Sequence, residues 1–222
     1  MAVSDSSYLH QKFIHRINPD HVQTIFECGS RDCLDAIALK EYYPGSTVWA
    51  FECNPEAIEL CKTNLNGTPN IHLIEKAVYN HDGMVDFFPT DMERSINKEL
   101  GASSLLWHRD NQHEFFQKQI QVECTRLDTF MQQHHIPQID LLCMDVQGVE
   151  LEVFEGLGNM LPRVRHIITE VVFEHYYRND HLFDEIQKYL YRAGFHLLAG
   201  SGLLGNRKSG LTNCLFKNRK AV

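Results

Sequence analysis

The chain has 222 residues, 43% hydrophobic and 23% charged, which suits one globular α/β domain with a substantial core. A net charge of -8 and a pI near 5.9 argue against wide contact with a phosphate backbone, so no nucleic-acid partner is expected. No apolar run approaches the roughly 20 residues of a membrane span, and "MAVSDSSYLHQKF" lacks the apolar centre of a signal peptide.

Residues 1–20 read as an added N-terminal helical extension with apolar positions at Tyr8, Leu9, Phe13 and Ile14. A first strand is expected at 22–27 (VQTIFE), then a helix over 33–42 capped by Asp32, then a strand at 47–52 (TVWAFE). "NPEAIELCKTNL" opens a helix with Pro55 at its first position and carries apolar residues at 57, 58, 61 and 65. A third strand at 70–75 is followed by an insertion over 79–124. Within it "HDG" reads as a turn and 84–88 and 119–124 as short extra strands. The polar stretch between them, about 30 residues, exceeds ordinary connections and reads as a lid spanning 91–118. Strands at 139–145 (IDLLCMD) and 165–172 flank the helical pattern "VELEVFEGLGNML". "HLFDEIQKYLYRAG" closes on Gly194 as a C-cap, and strands at 195–199 and 211–216 end the chain.

The first, second, fourth and fifth strands are near-continuous apolar runs, as parallel strands covered on both faces require. This alternation predicts a doubly wound, mostly parallel seven-stranded sheet in a single domain spanning 1–222. The seven cysteines are odd in number and contain no C-x-x-C pair, so they read as reduced packing residues of a cytoplasmic protein. Among the thirteen histidines no H-x-x-x-H occurs, and no metal site is expected. "GNRKSG" (205–210) and "KNRK" (217–220) form the only local basic runs near the C-terminus and read as a solvated loop and tail.

The loop "TIFECGSRDCLDA" holds one glycine where the dinucleotide fingerprint wants three. In a doubly wound sheet the ligand sits at the carboxyl ends of the strands, and Glu27, Glu52 and Asp145 fall at such ends. Gly29 makes the tight turn, with Arg31 and Asp32 facing the cleft. A pyrophosphate would prefer bare amides to flanking acids, whereas a cationic ligand such as S-adenosylmethionine fits, with Glu27 near its ammonium and sulfonium and Arg31 near its carboxylate. Glu52, 23 residues past Gly29, is placed to accept from both hydroxyls of a ribose; that offset alone serves NAD equally.

"FECGSRD", "AFECNPEA", "EKAVYNHDG", "GASSL", "TRLDTF" and "IDLLCMDVQGVELEVFEGL" resemble, in that order, the FkbM-type family of S-adenosylmethionine-dependent methyltransferases. The resemblance spans about residues 20 to 200, and its most specific part is D-V-x-G-x-E at 145–150. It implies a class I, Rossmann-like methyltransferase fold, S-adenosylmethionine as cofactor, and methyl transfer most often to an oxygen. Carried over by position, Glu27, Cys28, Gly29, Ser30, Arg31 and Asp32 form the methionine-side loop and Glu52 the ribose contact. Cys53 and Asn54 flank the adenosine, while Glu75, Lys76 and Ala77 lie by the adenine. Ser103 and Ser104 come from the long loop, and Asp145, Val146 and Gln147 line the floor near the methyl group. Two departures from the family pattern stand out, Cys33 for the second loop glycine and Gln147 for a frequent glutamate.

Transfer to a hydroxyl needs alignment and removal of a proton. Asp145, Glu170 and His175 are the candidate catalytic residues, with Glu150, Glu174 and His108 placed toward the acceptor. Glu150 also suits a helix N-terminus, and His108 belongs to "SSLLWHRD" on the lid. The leading expectation is O-methylation of a small-molecule or glycan acceptor, by a monomer or a homodimer, away from membranes. A non-catalytic nucleotide-binding protein and a nicotinamide oxidoreductase are the alternatives.

Overall fold

A computed structural model of the chain describes residues 7–96, 98–109, 116–201 and 210–220. Residues 1–6 of the extension, 97 and 110–115 of the expected lid, and most of "GNRKSG" lie outside the described residues. Among the described residues, ten strands and six α-helices follow one another as β1 (Thr24–Cys28), α2 (Leu34–Tyr42), β2 (Thr47–Phe51), α3 (Pro55–Leu65), β3 (Ile71–Ile74), β4 (Ala77–Val78) and β5 (Gly83–Phe87). After these come β6 (Ile120–Thr125), α4 (Leu127–Gln133), β7 (Ile139–Met144), α5 (Glu150–Leu157), β8 (Val164–Val172), α6 (Phe183–Arg192), β9 (Phe195–Gly200) and β10 (Leu211–Asn218). The remaining helix, α1 (Gln11–Ile14), precedes β1.

Seven strands form one sheet in the order β3-β2-β1-β7-β8-β10-β9, parallel except for β10, which runs antiparallel between β8 and β9. β7 is buried at all six positions, because helices cover both faces of the sheet. One core face gathers Phe26, Phe51, Phe130, Leu142 and Phe154; the other gathers Phe13, Ile25, Leu39, Leu141 and Ile168. The strand order reverses between β1 and β7, which opens a cleft at their carboxyl ends.

The insertion forms a second, three-stranded sheet, β4-β6-β5, with its own small core of Ala77, Phe87, Val122 and Cys124. The two strands expected at 84–88 and 119–124 are β5 and β6. Two elements were not expected. β4 has two residues and α4 seven, each too short to show a periodicity.

The N-terminal extension is not one helix. Its described part, residues 7–20, consists of short 3-10 turns at Ser7–Leu9 and Pro19–His21 around the single turn of α1. Burial rather than helix length fixes it, since Tyr8, Leu9, Phe13 and Ile14 all enter the core. A second correction concerns the start of α2. Its N-cap is Cys33, in the left-handed region at φ 60°, and Asp32 acts from one residue earlier by accepting from Leu34 N at 3.1 Å.

Candidate active site

The turn after β1 builds one wall of the cleft. Gly29 has φ +84°, and a Cβ there would stand 2.0 Å from Asp145 O, so only glycine lets β1's loop pass the end of β7. The Gly29 and Ser30 amides both donate to Phe51 O at 3.0 Å, which ties this loop to the end of β2. Glu52 then turns back into the cleft. Its Oε2 accepts from Arg31 N at 2.7 Å and its Oε1 from Cys53 N and Asn54 N at 2.8 Å each. Burial pushes its carboxyl up, against the pull of those three amides. The result is a rigid, buried acceptor with one lone-pair site, on Oε2, remaining for a ligand hydroxyl.

Gly29, Ser30, Arg31, Glu52, Cys53, Asn54, Lys76, Ala77, Ser103, Ser104, Asp145, Val146 and Gln147 line this cleft together. Asn54 caps α3 through Glu56 N at 3.1 Å and donates to Ser103 Oγ at 3.3 Å, which brings the "GASSL" loop over the opening. Glu27 lies behind the lining, 1% exposed, where its carboxylate accepts from the Ser30 hydroxyl. Burial pushes its carboxyl up to about 8.

Besides Glu27, three more predicted residues lie outside the lining. Cys28 is fully buried in the core and Asp32 is engaged at the start of α2. Glu75 turns outward to pair with Lys62 at 3.0 Å. Sequence reasoning missed Asp35, one turn beyond Arg31 on the first turn of α2, and Ser7 and Tyr8 from the extension. Helical spacing was a usable signal for Asp35. Nothing local pointed to Tyr8.

At the floor, Gln147 takes φ +55° and lines a second cavity as well as the first. Its side-chain amide donates to Asp145 Oδ1 at 2.5 Å and its Oε1 accepts from Tyr177 Oη at 2.7 Å, and beside Glu170 it partly offsets the upward push on that carboxyl. A neutral amide thus stands beside two carboxyls that a third acid would repel. The second cavity is bounded by Ala102, His108, Gly148, Glu150, Glu170, Val172, Tyr176, Tyr177, Asp180 and Leu211. Burial pushes the Glu150 and Glu170 carboxyls up to about 8 each, Asp145 adding to both. Burial also pushes the Asp145 carboxyl up and the His108 imidazole down.

His175 and Glu174 do not join this cavity. Asp180 accepts from the Tyr176 and Tyr177 amides at 2.8 and 3.0 Å and from His175 Nδ1, which winds the loop around a buried carboxylate and leaves His175 on the outside. Glu174 is exposed and accepts from Tyr176 Oη at 3.3 Å. Of the residues predicted toward the acceptor or for catalysis, Glu170, Glu150 and His108 line this cavity, and Asp145 lines the first.

The sequence profile described as "Methyltransferase FkbM domain" matches residues 27–197, well over half of the chain. The chain belongs to the FkbM methyltransferase family. A 2-O-methyltransferase, NoeI, from Sinorhizobium fredii is 28% identical over 172 residues, covering 75% of this chain and 70% of that protein. An FkbM methyltransferase structure from Methylobacillus flagellatus superimposes with a TM-score of 0.55 at 12% identity, over 88% of this chain and 43% of that one. An rRNA methylase structure from Streptococcus thermophilus gives 0.51 at 11% identity, over 94% and 93%. These two likenesses establish the class I, Rossmann-like methyltransferase fold. FkbM membership sets aside the nicotinamide oxidoreductase reading of the same sheet. No helix among the described residues is long and apolar enough to cross a membrane.

Proposed function

We propose that this FkbM-family enzyme carries the methyl group of S-adenosylmethionine to a hydroxyl oxygen of a small-molecule or glycan acceptor. One observation carries the reading: Gln147 is the common wall of two cavities, one rich in carboxylates and the other holding two buried carboxyls near neutrality. The first suits a cationic cofactor with a ribose, because Glu52 is oriented by three backbone amides and Asp35 and Asp145 face the same space. S-adenosylmethionine supplies an electrophilic methyl group already activated by its sulfonium. The chain's own task is alignment and proton removal. Glu170, raised to about 8 foremost by burial, is a base of suitable strength for a hydroxyl and lines the same cavity as Gln147. Asp145, on the Gln147 amide, orients the oxygen. The relative named as a 2-O-methyltransferase supports oxygen as the acceptor atom.

Isotopic methyl transfer to a panel of hydroxylated glycans and phenols tests this. Turnover should climb with pH through about 8 as Glu170 ionises. Glu170→Gln should lower it on the order of 10²-fold and flatten the climb, with S-adenosylhomocysteine binding kept within about threefold. Binding without transfer across the whole panel would instead favour a non-catalytic module.

A further inference from the structure

Tyr8 belongs to the N-terminal 3-10 turn, outside the residues 27–197 that match the family, yet its ring forms part of the cleft wall beside Gly29, Arg31, Asp35 and Asp145. Packing holds it in place. Leu9, Phe13, Ile14 and Ile17 anchor the segment in the core shared with α2 and β1, and Lys12 Nζ donates to Ser201 O at 3.2 Å. Tyr8 is 3% exposed, and its hydroxyl makes no hydrogen bond to any described residue. The hydroxyl borders the cleft rather than being sealed in the core, so a bound ligand can accept from it.

The chemistry of the surroundings says which atom. Burial first, and then the charges of Asp145, Glu27 and Asp35, hold the Tyr8 proton well above the ordinary phenol range. A hydroxyl kept protonated among carboxylates serves as a donor. An amino-acid ligand whose ammonium sits among those acids brings its own carboxylate into the same place, and that carboxylate needs donors. The cleft wall offers few there, with the Arg31 side chain half-exposed and paired to Asp32 at 3.6 Å.

We propose that Tyr8 is a cofactor-binding residue, whose hydroxyl donates to the α-carboxylate at the amino-acid end of the bound cofactor. The proposal rests on the S-adenosylmethionine reading above. It makes the N-terminal turn a working wall of the site, supplied by a part of the chain that the family match does not include.

Tyr8→Phe removes one oxygen and keeps the ring. Calorimetric titration of the full chain with S-adenosylhomocysteine and with 5′-methylthioadenosine, which lacks the amino-acid end, separates the outcomes. The expected result is a loss of roughly 10- to 100-fold for S-adenosylhomocysteine, the range for a hydrogen bond to a charged group, with 5′-methylthioadenosine unchanged. Equal S-adenosylhomocysteine affinity in both proteins overturns the role of Tyr8 alone. A parallel loss for both ligands also overturns it, because it would mean that the cleft had changed shape. If the unaltered chain binds neither ligand, the cofactor reading itself falls and this role falls with it.

Discussion

Glu52 illustrates how far single residues commit the site. Its two oxygens are fixed by three backbone amides from two loops, so the carboxylate is set in place before any ligand arrives. Glu52→Ala should weaken S-adenosylhomocysteine binding by roughly 2–4 kcal/mol, the scale of lost charge-assisted hydrogen bonds. It also leaves the Arg31, Cys53 and Asn54 amides without that acceptor, so a thermal melt of the same variant is needed to separate binding from folding. Unchanged affinity in a folded variant would remove the ribose assignment. Glu52 and Gly29 were legible in the sequence, because strand ends and tight turns leave local marks. Glu174 and His175 were not placed correctly. "FEHYY" does not say which side chains face inward, and that choice is made by Asp180, whose carboxylate draws the loop around itself.

At the scale of elements, the strands and longer helices of the main sheet followed from apolar runs and periodicity, within a residue or two at most ends. What escaped was pairing between distant short segments. The stretch around His108 is joined to the loop after β8 by Arg109 N to Tyr176 O at 2.9 Å, Arg178 N to Trp107 O at 2.8 Å, and a bridge between His108 and Tyr177. Tyr177 Oη also lies 3.1 Å from Ala102 O, sharing its one proton between that carbonyl and Gln147, and Ser104 Oγ donates to Gln147 O at 2.7 Å. No local pattern encodes such contacts, which depend on the whole chain having folded. They imply that the insertion and the loop after β8 cover the second cavity as one unit. Amide hydrogen exchange should then slow together at 104–109 and 176–178 when S-adenosylhomocysteine and an acceptor are bound. Protection confined to one of the two segments would argue against a joint cover.

Across the whole molecule, a chain of net charge -8 concentrates buried carboxyls at one edge of its sheet, with Glu27, Glu150 and Glu170 each raised from 4.5 to about 8, foremost by burial. The sign of the consequence follows from linkage. A carboxyl that holds its proton more tightly when folded contributes stability that is complete below its unfolded pKa and is lost as pH rises through its folded value. These three groups therefore favour the ligand-free fold below about 4.5 and weaken it progressively toward about 8. A cation in the cleft reverses the balance, since it favours the ionised form and draws a proton off. S-adenosylmethionine carries a sulfonium where S-adenosylhomocysteine carries a neutral sulfur, so the difference between them isolates that charge. Affinity for S-adenosylmethionine should rise relative to S-adenosylhomocysteine between pH 6 and pH 9, with proton release on binding near pH 7 that depends on buffer ionisation in calorimetry. Glu27→Gln keeps the Ser30 hydrogen bond to an oxygen and removes one titrating group, so it should shrink both the pH slope and the proton release. A ratio of affinities that stays level across this range in the unaltered chain would mean that the buried carboxyls do not answer the cofactor's charge, and Glu27 would revert to a purely structural partner of Ser30.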